Sequence, residues 1–170
     1  MRRVTGVATL RHLYFDIDGT VLREDRRQVK PALENGRFQQ LVERGGFDRV
    51  LCVSNMIQTI DLARAAGATV DGLEIVYRYC DGAFSDETWV RERVRLIADP
   101  ENRVEAVDFA SDWWYVDDLA AYYFRQAGRS SVYREQLGRR VCEPSNCGDG
   151  QDVAAWLESV VAGSRPTRSD

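Results

Sequence analysis

Short apolar runs alternate with longer amphipathic stretches along this chain, and that alternation predicts its fold. Residues 11–16, 49–53, 73–79, 113–116 and 139–142 read as five strands. The runs Val50-Leu51-Cys52-Val53 and Trp113-Trp114-Tyr115-Val116 are apolar without a break, as in parallel strands buried on both faces. Between the strands the spacing becomes helical. Leu33, Phe38, Leu41 and Val42 form a stripe on a helix opened by Pro31 and ended by Gly45-Gly46. Met56, Ile57, Ile60, Ala63 and Ala66 line a second helix, closed by Gly67. Ser85-Asp86-Glu87 has the character of a helix start, with Val90, Val94 and Ile97 continuing that helix. Asp99-Pro100 marks another start, with Val104 and Val107 facing inward. Residues 119–127 read as a helix ended by Gly128, and residues 152–161 as the last one. Strands alternating with helices predict a Rossmann-like α/β fold, a three-layer α/β/α sandwich around a mostly parallel sheet. Residues 1–9 read as a loose lead-in, 10–162 as a single domain, and 163–170 as a flexible polar tail without a core face.

Composition narrows the picture. At 170 residues and 44% hydrophobic, the chain can bury the core of one domain without staples. A net charge of −4 does not indicate a nucleic-acid-binding face. No apolar run reaches membrane-spanning length, and Met1-Arg2-Arg3-Val4-Thr5 is not followed by an apolar signal core. The expected location is the cytoplasm, where Cys52, Cys80, Cys142 and Cys147 would stay reduced. Cys52 falls in a core strand, and Cys142 and Cys147 lack the second ligand pair a zinc site needs. Lys30 is the chain's one lysine, so its basic charge is otherwise arginine.

Candidate chemistry collects at predicted strand ends. The first strand runs into Phe15-Asp16-Ile17-Asp18-Gly19-Thr20-Val21. Two carboxylates one residue apart share a face if the strand continues, and they repel unless a cation or a proton intervenes. Gly19 permits a sharp turn just after them. The second strand ends in Ser54-Asn55, whose hydroxyl and following helix amides can hold an anion. By itself, Ser54 reads first as a helix cap, and its place after the second predicted strand turns the reading to an anion site. The fourth strand ends in Asp117-Asp118. One aspartate would suffice for a cap, whereas two acids beside two others call for a cation. In an open α/β sheet, ligands bind at these strand ends.

Asp16, Asp18, Gly19, Thr20 and Val21 resemble, position by position, the first motif of the haloacid dehalogenase superfamily. The apolar strand ending at Ser54 resembles that family's second motif, and the strand ending in Asp117-Asp118 its final one. The resemblance implies a Mg²⁺-dependent phosphatase. Asp16 would be the nucleophile that becomes an aspartyl-phosphate, and Asp18 the general acid/base. The second aspartate argues for phosphoryl transfer, since dehalogenating members lack it. Asp16, Asp117 and the backbone carbonyl of Asp18 would hold Mg²⁺, with Asp118 acting through water or a hydrogen bond. Ser54 and Asn55 would bind phosphoryl oxygens.

The match is poor at the third motif, where the family has a lysine or less often an arginine. No lysine lies downstream of Lys30. Arg78, at a predicted strand end, is the preferred replacement; Arg91 and Arg93, inside a predicted helix, are the alternatives. The gaps from Asp18 to Ser54 and from Ser54 to Asp117 leave little room for a cap domain. The site is therefore expected to be capless, guarded by the charged loop of residues 23–30 or by self-association into a homo-oligomer. That loop reads equally as a merely solvated one. The partner is a phosphorylated substrate of undetermined class. The rival reading is a catalytically inactive binding or regulatory module of the same fold, favoured by the missing lysine and opposed by the four retained acids. Gly148-Asp149-Gly150 reads as a turn, and His12 as structural or exposed. The aromatics of residues 113–124 read as core or a dimer face.

Overall fold

The computed structural model describes residues 9–25, 28–31, 33, 36–54, 84–97, 102–144 and 152–163. Five strands form one all-parallel sheet: β1 (Arg11–Phe15), β4 (Arg49–Cys52), β5 (Val94–Leu96), β6 (Asp112–Val116) and β7 (Val141–Cys142), in the order β5-β4-β1-β6-β7. With five helices among the described residues, the molecule has the Rossmann-like α/β architecture that the strand–helix alternation predicts. From β1 the chain builds outward through β4 to β5, then returns to β1's other side for β6 and β7. The order reverses between β1 and β6, which makes that the crevice where open α/β sheets bind ligands.

Strand alternation divides the core into two layers. Leu13, Phe15, Val50, Cys52, Val94, Val116 and Cys142 share one cluster. It is covered by α1 (Arg37–Gly45), α2 (Glu87–Arg93) and α5 (Val153–Gly163), through Phe38, Leu41, Val90, Trp156 and Leu157. Tyr14, Trp113, Tyr115 and Val141 belong to the other cluster. There they meet Val104 of a 3₁₀ turn (Arg103–Ala106), Phe124 of α3 (Ala120–Gln126) and, half-buried, Tyr133 of α4 (Ser130–Gln136).

Several local expectations change. Of the segment 23–30 expected as a loop, the described residues are strand: β2 (Leu22–Asp25) and β3 (Gln28–Pro31) pair antiparallel in a two-stranded hairpin. Pro31 closes β3 opposite Leu22 rather than opening a helix, a position a proline tolerates at a strand end. α1 starts later, after Gly36 at φ 67°, and ends at Gly46 as expected. Helix α2 starts at its Asp86 cap, whose side chain accepts the Thr88 N–H, but stops at Arg93. Val94 then turns extended and joins β4 as the outermost described strand on that side of the sheet. The expected helix of residues 56–66, the strand of residues 73–79, the turn at 148–150 and the tail lie outside the described residues. Among the described residues, no helix is long and apolar enough to cross a membrane.

Candidate active site

Register brings the two leading acids together. Phe15 pairs with Val116 at the end of the β1–β6 ladder, so Asp16 and Asp117 stand side by side one step further on. Adjacent strands lie roughly 4.8 Å apart. The Asp16 N–H donates to the Val116 carbonyl (2.9 Å) and the Asp117 N–H to the Cys142 carbonyl (3.2 Å), which fixes both backbones to the sheet. Both side chains are buried, Asp16 at 2% exposure and Asp117 at 0%. Ser54, directly beyond β4, is also buried, and its hydroxyl hydrogen-bonds to Asp16.

After Asp16 the chain turns at Gly19, whose φ of 73° favours glycine. Ile17 and Val21 are buried and anchor this turn, while Asp18 is exposed. Thr20 is buried, and its hydroxyl oxygen accepts the Asp118 N–H (3.2 Å). This contact ties the segment after β1 to the segment after β6. Oxygens of Asp16, Asp117 and Asp118 lie within 4.8 Å of one another.

The cation at this site is Arg103, which the sequence reading did not single out. One guanidinium nitrogen, Nη1, lies 2.8 Å from Asp117 Oδ2 and 3.0 Å from Asp16 Oδ1. The Asp117 contact is a hydrogen bond. The Asp16 contact is an ion pair by distance only, and Asp16 Oδ1 is buried without a hydrogen bond. Arg103 is 4% exposed, and its guanidinium lies over the Tyr123 ring at 4.5 Å. Asn102 caps the 3₁₀ turn, accepting the Val104 N–H and donating to the Tyr123 carbonyl, which docks the turn on α3. Burial alone would lower the Arg103 pKa, but Asp16 and Asp117 more than offset that and hold the guanidinium charged.

The other arginines stand differently. Arg91 pairs with Glu87 along exposed α2, and Arg93 donates to the Phe47 carbonyl. Arg78 and Asn55 lie outside the described residues. Within the described chain, Asp16, Ser54, Asp117 and Asp118 therefore come together as expected, with Arg103 added. A signal for Arg103 existed: it sits between a capping asparagine and an inward valine, just before the strand that ends in Asp117-Asp118.

Among the described residues, two buried carboxylates share one guanidinium at this centre. Asp16 is pushed up to about 7, first by burial and then by Asp117, against the opposing pull of Arg103, the Ile17 N–H and Ser54. Cys52 is pushed up to about 12, chiefly by burial, which keeps its thiol from competing as a nucleophile. Cys142 is likewise a buried core thiol, and His12 is buried with Nδ1 3.3 Å from the Tyr14 hydroxyl. Trp113, Tyr115, Tyr123 and Phe124 are core, whereas Tyr122 is exposed. No family model, curated protein or solved structure matches the chain.

Proposed function

We propose that this protein is a Mg²⁺-dependent phosphatase of the haloacid dehalogenase type, hydrolysing a phosphate monoester through an aspartyl-phosphate on Asp16. The observation that carries this reading is the convergence of Asp16, Ser54, Arg103 and Asp117 from four separate segments at one end of the sheet. The donor set fits a hard divalent cation. Asp16, Asp117 and Asp118 offer oxygen ligands within 4.8 Å, the buried Asp16 Oδ1 lacks a hydrogen bond, and among the described residues one guanidinium faces two buried acids. These three residues would hold Mg²⁺, with Asp18 contributing from the turn. When bound, Mg²⁺ supplies charge neutralisation between the carboxylates and a phosphoryl group.

The chain's own residues divide the remaining work. Asp16 attacks phosphorus in line, forming the Asp16 O–P bond as the ester oxygen departs. Asp18, exposed at the mouth of the turn, gives that oxygen a proton. It then takes a proton from the water that cleaves the O–P bond, which returns Asp16 as a carboxylate. Ser54 orients the nucleophile by its hydrogen bond. Arg103 favours the ionised form of Asp16 against the effect of burial and offers charge to a phosphoryl oxygen, the part the absent lysine left open. A charged residue in that part counts against the inactive-module alternative.

The test is phosphate release from an aryl phosphate and from a panel of phosphorylated metabolites and oligonucleotides, with and without Mg²⁺. Magnesium-dependent release that Asp16→Asn abolishes is the expected result. No release from any substrate, despite metal binding, would favour the inactive module.

A further inference from the structure

We infer that Tyr115 is a positioning residue for the metal-ligating carboxylate of Asp117: its hydroxyl, together with Arg103, occupies Oδ2 and leaves Oδ1 as the oxygen that faces a cation. This inference rests on the reading of Asp117 as a metal ligand.

The argument begins with strand geometry. Tyr115 and Asp117 are two residues apart on and just beyond β6, so they emerge on the same face of the sheet. Two residues of strand span roughly 6.6 Å, close to the reach of a tyrosine from backbone to hydroxyl. The Tyr115 hydroxyl donates to Asp117 Oδ2 at 2.9 Å, and both groups are fully buried.

Counting lone pairs gives the consequence. A carboxylate has about four acceptor sites, two on each oxygen. Oδ2 accepts from the Tyr115 hydroxyl and from Arg103 Nη1, so both of its sites are used. Oδ1 accepts the Leu119 N–H at 2.8 Å, so one of its sites is used. The remaining acceptor site on Asp117 is on Oδ1. Three donors from three directions also fix the rotation of the carboxylate, so this site has a defined heading. Tyr115 itself is held in place by Phe124, whose ring meets it edge-on at 5.4 Å. A buried tyrosine whose hydroxyl merely needed an acceptor could use a backbone carbonyl. Here it uses a buried carboxylate that also pairs with Arg103.

Tyr115→Phe tests the inference because it removes one oxygen and keeps the ring and its packing. Direct binding of Mn²⁺, followed by electron paramagnetic resonance, is compared for the parent, Asp117→Asn and Tyr115→Phe, with the Mg²⁺-induced rise in melting temperature as the second readout. Loss of a group that orients a metal ligand weakens affinity by roughly 10- to 100-fold. The expected result is that the parent binds, Asp117→Asn does not, and Tyr115→Phe binds at least about tenfold more weakly with a smaller Mg²⁺-induced rise. A merely structural tyrosine would lower the metal-free melting temperature and leave both the affinity and the Mg²⁺ increment at parental values. That outcome, with Asp117→Asn still defective, overturns the inference and leaves the phosphatase reading standing. A parent that binds neither Mn²⁺ nor Mg²⁺ overturns both.

Discussion

Replacing Asp16 by asparagine is expected to remove turnover and, in metal-free protein at neutral pH, to raise stability. The folded protein holds the Asp16 carboxyl at about 7 against an ordinary 3.8. That difference of about 3 units corresponds to about 4 kcal/mol. Its sign follows from proton binding. Between about pH 4 and pH 7 the native state holds a proton that the unfolded chain has released, so this contribution to stability is lost as pH rises through that window. Asparagine has no such charge to bury. The pull of Arg103 is already contained in that value, so its loss is not subtracted again, and Arg103 keeps Asp117 at 2.8 Å. Asp16→Asn is therefore expected to be more stable than the parent by up to about 4 kcal/mol near pH 7.5, the gain shrinking to about 1 kcal/mol near pH 4.5.

Urea unfolding in the presence of a chelator, followed by the fluorescence of the four tryptophans, measures this difference across the pH range. Every other titrating group is common to both proteins and cancels to first order. A stability difference that does not change between pH 4.5 and 7.5, or one that moves against the variant as pH rises, would refute the buried-carboxylate account of the site. Adding Mg²⁺ is expected to reverse the order, because the parent gains binding free energy that the variant cannot.

Further outcomes follow from the same geometry. Arg103→Met is expected to cost at least about 100-fold in kcat, while Arg91→Ala and Arg93→Ala stay within about twofold; a larger loss at either helix position would move the cation's role to α2. Asp117→Ala is expected to raise the Mg²⁺ concentration for half-maximal phosphate release by at least about tenfold, and an unchanged requirement would remove Asp117 from the metal site. Arg26→Gln combined with Arg27→Gln, between β2 and β3 in sequence, is expected to raise KM for a large anionic phosphate ester more than for a small aryl phosphate. Equal effects on the two substrates would remove the hairpin from substrate binding.

The parallel sheet was legible because its central strands are near-continuous apolar runs, a pattern that needs no tertiary information. Its outer described strands were less so. Val90, Val94 and Ile97 fit a helical period, yet Val94–Leu96 is a strand. Three residues are too few for period to decide. The deciding contact is with β4, where Val50, Leu51 and Cys52 pair with Val94, Arg95 and Leu96. The Ile97 N–H extends that ladder to the Cys52 carbonyl. Helix α4 gave no signal at all, because none of its residues is fully buried and it has no apolar stripe to read. The pairing of residues 22–25 with 28–31 was hidden because their mostly charged sequence shows no apolar alternation to read.

The site divides the same way, between what is local and what is brought in. Asp16, Asp18 and the Asp117-Asp118 pair could be found because each stands immediately after an apolar strand, so chain order alone carries them to the sheet's end. Arg103 could not be ranked by residue type in a chain where arginine supplies all but one of 23 basic residues. Nor does it end a strand, which was the criterion that favoured Arg78. What distinguishes Arg103 is a requirement set elsewhere. The β1–β6 register sets two carboxylates side by side with almost no solvent, and such a pair needs a counter-charge from the layer that covers their face of the sheet. Asp16 continues the line of Tyr14, and Asp117 that of Tyr115, so both belong to the face covered by the 3₁₀ turn and α3. Within that layer, the side chain described as meeting both acids comes from the residue between the Asn102 cap and the buried Val104. The cation was therefore implied by the two aspartates and by the face they share, and locating it required the packing of one short turn against α3.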